Sequence, residues 1–162
     1  MAIWKEIDGW VYEYFELDTP AEKFDGFEPI VNLWNSKRSG NDIPSWSNFD
    51  FYDFVNWHGK VSKSTYLYNP FDFKVDLFGI DFVELLGFDM TGYKCSELLK
   101  LDQENALDVE FYEWIYKNRY ISRYYGSFSL EGHGPIKANI IDLPLSDDGK
   151  NITHSLEILL PD

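Results

Sequence analysis

The C-terminal end constrains this chain most: stretches 121–130, 136–145 and 152–160 are three long β-rich runs separated by turn-forming residues. Gly132, Gly134 and Pro135 break the first gap, and Ser146, Asp147, Asp148 and Gly149 break the second. These residue types tolerate left-handed or side-chain-capped turns. The phrase LPLSDDGKNITHSLEILLP therefore predicts two strands around a tight acidic turn, closing an antiparallel meander. In the middle run the apolar positions change phase, from Ile136, Ala138 and Ile140 to Ile141, Leu143 and Leu145. A bulge gives that pattern, and so does a strand covered on both faces.

Upstream, stretches 61–68 and 73–78 form a first strand pair around Asn69-Pro70, with Phe73, Val75 and Leu77 alternating with Lys74 and Asp76. Gly79 ends the second run, and Asp81 is placed to cap a short helix containing Phe82, Leu85 and Leu86 that Gly87 terminates. A longer helix is predicted over 102–118, with Leu107, Phe111, Trp114 and Ile115 on one stripe. Phe27, Ile30, Val31 and Trp34 fall at helical spacing, with Pro29 in the first turn and Gly40 placed to stop the helix. Between them, 41–58 reads as an ordered connection anchored by its rings, with a helical turn near 49–54. Residues 1–26 mix aromatics with acids, and Asp8-Gly9 has the composition of a hairpin turn. The expected organisation is an N-terminal extension, 1–26, followed by one domain, 27–162.

At 162 residues one core is expected. With 6 Trp, 11 Tyr and 13 Phe, it has more ring surface than an ordinary domain of this size needs. The 28 acidic residues outnumber 14 Lys and Arg, giving a formal charge of -14. Such a field repels phosphate backbones and anionic headgroups, so neither nucleic acid nor membrane is expected as a partner. No run approaches the roughly 20 apolar residues that span a bilayer. Cys95 has no second cysteine to pair with, and MAIWKEIDGW does not read as a signal peptide. A cytoplasmic setting is expected, and the Asn151-Ile152-Thr153 triplet is then without consequence.

Taken in order, two strands, short helices, a longer helix and three strands resemble the PAS fold, and the stretch GFDMTGYKCSELL, with Gly87, Gly92 and Glu97-Leu98, is similar to one found in many PAS domains. VNLWNSKRSG, IPSWSNFD, NPFDFKVDLFG and LPLSDDGKNI resemble, in the same order, segments of a small bacterial PAS-like family in which the sensor domain stands alone. The likeness covers 27–160. It departs at Ile80, where a small hydroxyl residue is usual, and residues 1–26 have no counterpart. It implies an α+β fold: a five-stranded antiparallel sheet, helices packed on one face, and an N-terminal helical extension. It also implies a non-catalytic sensory or regulatory role.

Individual chemistries are weakly represented. Cys95 follows Gly92 by three residues, as does the photoreactive cysteine of flavin-binding PAS domains of the LOV type, but Lys94, Ser96, Glu97 and Leu98 replace the flavin-holding set. A haem ligand is not offered between 80 and 118, since His58, His133 and His154 lie elsewhere and lack metal-ligand spacing. Neither a nucleophile elbow nor a phosphate loop can be read, and Asp147-Asp148 has turn spacing. What remains is an apolar cavity between sheet and helices, for which periodicity nominates Tyr66, Phe73, Val75, Phe82, Leu86, Trp114, Tyr125, Phe128 and Ile140. One expectation is a sensor whose small-molecule ligand alters contacts with a signalling partner or a second copy, through the N-terminal segment and first helix. The alternative is a ligand-free interaction module that uses the aromatic N-terminus and acidic surface.

Overall fold

The computed structural model describes residues 1–98, 106–129 and 135–160. Strands β1 (Ala2–Ile7), β2 (Trp10–Phe15), β3 (Val61–Leu67), β4 (Asp72–Phe78), β5 (Ile121–Ser129), β6 (Pro135–Leu145) and β7 (His154–Leu160) form one sheet. Its order is β1-β2-β5-β6-β7-β3-β4, and every neighbouring pair is antiparallel. The antiparallel α+β architecture is the expected one. The sheet, however, has seven strands rather than five.

The two additional strands come from the N-terminal segment, which is a β-hairpin and not a helical extension. Asp8 and Gly9 both take positive φ, 50° and 83°, the turn whose twist matches a two-residue hairpin. β2 then pairs with β5 from Val11↔Tyr125 to Phe15↔Ile121. Phe15 and, after the hairpin, Phe24 are fully buried and meet with ring centroids 4.4 Å apart. The segment that sequence set apart is thus built into the sheet, because alternating rings on β2 give β5 a neighbour to bury.

Among the described residues four α-helices complete the fold: α1 (Glu28–Ser36), α2 (Ile80–Leu86), α3 (Cys95–Leu98) and α4 (Ala106–Asn118). They flank both sheet faces rather than one. Phe27, Ile30, Val31 and Trp34 are fully buried in the cluster that holds Ile141, Leu143 and Leu145, and the Trp34 indole donates to the Pro144 carbonyl at 2.8 Å. On the other face Phe82 of α2 packs with Ala138 and Ile140, and Tyr12 packs with Phe111 and Ile115 of α4. β6 keeps regular register with both neighbours, so its change of phase reflects cover on both faces rather than a bulge. Neighbours on β5 divide the same way: the Arg123 guanidinium lies over the Phe27 ring, whereas Tyr124 reaches Tyr112 of α4.

Local chemistry fixes the ends. α2 starts after Gly79 with no side-chain cap, so Asp81 sits in its first turn, and Gly87, at φ 82°, closes it with its N–H on the Val83 carbonyl. α1 stops at Ser36, earlier than Gly40. The acidic turn before β7 is held by Asp148, whose carboxylate accepts from the backbone N–H groups of Lys150 and Asn151 at 2.8 and 2.7 Å. Those bonds hold its carboxyl far below the usual range.

Candidate functional site

One transverse row of the sheet differs from the rest of the core. The registers align Tyr14, Ser122, Asp142, Glu157, Ser62 and Phe78 across β2, β5, β6, β7, β3 and β4. The four central residues are polar and buried, Ser62 and Ser122 completely. They project from the face that α4 covers: the Tyr112 hydroxyl donates to Glu157 Oε1 and lies 3.0 Å from the Tyr124 hydroxyl, which reaches the same oxygen at 3.3 Å. From β3 the Tyr66 hydroxyl donates to Asp142 Oδ2 at 3.4 Å. Period-two alternation turns the adjacent cations away: Arg123 and Lys63 lie on the opposite face, facing Glu13 at 3.9 Å and Asp76 at 2.7 Å.

The row is incompletely satisfied. Ser62 Oγ, Ser122 Oγ and Asp142 Oδ1 are buried without a hydrogen-bond partner among the described residues. Ser122 stands next to Asp142, close enough for its hydroxyl to pull the Asp142 carboxyl down against the effect of burial. Burial first, and then the facing Glu157 carboxylate, push the Asp142 carboxyl well above its usual range. Burial likewise raises the Tyr66 phenol well above its ordinary value, with Asp142 and Glu157 adding to the effect. The row thus sets an Asp142 carboxyl that holds its proton more tightly than usual beside a Tyr66 phenol that donates to it, a surface suited to hydrogen-bonding recognition.

The nine residues nominated from periodicity do not share one space. Tyr66, Phe73 and Val75 join the main cluster, where Phe73 meets Tyr112 edge-on at 5.0 Å. Phe82 and Ile140 belong to the α2 cluster, and Trp114 packs against Tyr14 at 4.8 Å. Leu86 is half-buried on α2. Tyr125 projects to the opposite face, under the Arg123 guanidinium at 5.0 Å. There it lines an open groove of about 440 Å³ with Ser127, Lys137 and Asn139, and Arg123 is already bonded to Asn139 at 3.0 Å. The Phe128 side chain and His133 lie outside the described residues.

Sequence reasoning missed Asp142, Glu157 and the serines. Their signal was a charged residue inside an otherwise apolar run, in IIDLPL and SLEILL. Cys95, the first residue of α3, is buried in the main cluster, and the first turn of that helix is held by Asp72 through Ser96 Oγ at 2.6 Å. His58 stacks on Phe51, and His154, on β7, bonds to Thr153 at 2.8 Å. Among the described residues no group of three or more His, Cys, Asp or Glu is placed to hold a metal ion, and no helix is long and apolar enough to cross a membrane.

No protein-family model and no curated protein matches the chain. Among solved structures it is similar to the structure of an RNA-binding light-oxygen-voltage receptor, at 15% identity and a TM-score of 0.47. The match covers 74% of this chain and 36% of that one, so the chain spans about a third of the receptor's length. A likeness of that size bears on neither ligand nor partner.

Proposed function

We propose that this chain is a PAS-like, non-catalytic sensory or regulatory domain that takes a small polar molecule against the buried row of its sheet and changes its protein contacts when the row is filled. The observation that carries this reading is the row itself. Leaving a buried hydroxyl or carboxyl oxygen unpaired costs about 1–3 kcal/mol each, and three such atoms stand along one line of the sheet. A molecule with hydrogen-bonding groups would satisfy them, while Tyr66, Tyr112 and Tyr124 would supply ring area and orienting hydroxyls. The order of elements supports the PAS-like part of the reading. β3 and β4 pair, short helices and α4 follow, and the meander β5-β6-β7 returns to lie beside β3.

The reading is non-catalytic because Asp142 and Glu157 adjoin hydroxyls and rings, and no described imidazole shares the row to activate Ser62 or Ser122. Signalling then rests on the ligand having different affinities for two arrangements of the domain. The apolar stripe of α1 is taken up by the sheet, so a homodimer would have to use another surface.

The test is to purify the protein from its native source, record its absorption spectrum and compare its mass under native and denaturing conditions. The reading expects a reproducible extra mass that leaves on denaturation. Bare mass, together with no rise in melting temperature across a screen of small polar molecules, would overturn it.

A further inference from the structure

Among the exposed apolar side chains, three of the most exposed share one short turn. Phe51, Tyr52 and Val55 are 71%, 81% and 60% exposed, and all three lie on or beside the 3-10 helix Phe51–Phe54. Rings left in water cost hydrophobic stabilisation that an isolated domain has no reason to give up.

The turn is held from several directions. The Asp50 carboxylate accepts from the N–H groups of Tyr52 and Asp53 at 2.8 and 3.1 Å, and the Asp53 carboxylate accepts in return from Asp50 N–H at 2.8 Å. Asp53 also pairs with Lys37, the C-cap residue just after α1, at 2.7 Å. Phe54 anchors the underside in a triangle of rings with Trp46 and Phe49, its centroid 5.7 Å from each, and His58 stacks on Phe51 at 4.5 Å. A display fixed before binding loses little conformational freedom on association. Large amphipathic rings at the centre of a contact are the residues that carry most binding energy.

Charge selects the occupant. The knob sits beside Asp50, with Asp53 already paired to Lys37, on a chain of formal charge -14. Two copies would meet with like charge, and an anionic bilayer would be repelled. A surface rimmed by Lys and Arg would be drawn in and oriented. We propose that Phe51, Tyr52 and Val55 form a preorganised knob that docks into an apolar pocket, rimmed by Lys and Arg, on another protein. The knob is on an element separate from the polar row, and the inference stands whether or not that row binds a ligand.

The experiment places a photo-crosslinking benzoylphenylalanine at position 52 of the full chain in its native host, with position 93 as control, since Tyr93 is also 50% exposed. The expected result is one protein adduct specific to position 52, mapped to a peptide flanked by Lys or Arg. The purified partner should bind at least tenfold more weakly to Phe51→Ser, and more weakly as salt is raised. An adduct only with a second copy, only with lipid, or only with an acidic surface would overturn the inference. So would labelling no different from position 93. Circular dichroism of Phe51→Ser, an exposed substitution, separates lost docking from lost folding.

Discussion

Asp142 concentrates the chemistry of this molecule in one carboxyl. Its folded-state pKa is raised by burial and by Glu157, so the folded protein holds a proton there that the unfolded chain releases near 3.8. The linkage has a definite sign: the stabilising contribution is complete below the unfolded value and is lost as pH rises through the raised folded value. Asp142→Asn removes that titration while preserving a neutral polar group. Urea unfolding from pH 5 to 8 should show wild-type stability falling relative to the variant as pH rises. Parallel curves would mean that Asp142 does not carry the proton. The hydroxyls make an independent prediction. If Ser62 and Ser122 are unpaired in the ligand-free protein, Ser62→Ala and Ser122→Ala should each stabilise that form by about 1–3 kcal/mol. None of this was legible in residues read singly: aspartates and glutamates abound in the sequence, and only the register shows which two face each other.

At the scale of elements, much was legible and the exceptions have physical causes. The α1 stripe, the β3–β4 pair, the Gly87 stop and the closing meander follow from period and turn chemistry. The phase change in β6 left two explanations, and the helices on both faces decide between them. The number of strands was not legible, because adding a hairpin to an existing sheet depends on partner edges far away in sequence. β2 joins β5 across about a hundred residues. Nor could periodicity place Tyr125, since it says that residues alternate and not which helix covers each face. The hairpin makes two predictions. An added methyl at Gly126 would meet the Trp10 ring at 2.6 Å and the Gly9 carbonyl at 2.7 Å. Gly126→Ala should therefore destabilise the protein by about 1–3 kcal/mol, read by thermal unfolding. Deleting residues 1–26 removes the fully buried Phe15 and Phe24 and should abolish cooperative unfolding. A deletion variant that melts cooperatively near the wild-type temperature would show that the hairpin is an accessory.

Seen whole, the molecule is a seven-stranded sheet enclosed between α1 on one face and α2 and α4 on the other, with a polar row on the α4 side of an otherwise apolar, ring-rich interior. Its candidate surfaces are separate: the row looks inward under α4, and the Phe51 knob faces solvent beside the α1 layer through Lys37. On the proposed reading, that division would let a ligand be met inside and a partner outside, and the rings of the Phe51 knob lie beyond those the core buries. Composition announced the excess; only the packing shows which rings close the interior and which remain outside. The most direct test is the native mass of wild type beside Ser62→Ala/Ser122→Ala, both purified from the native source. The account predicts a bound small molecule on the wild type that the double variant has lost while melting at least as high as ligand-free wild type. An extra mass carried equally by both proteins would contradict the placing of the ligand on the row.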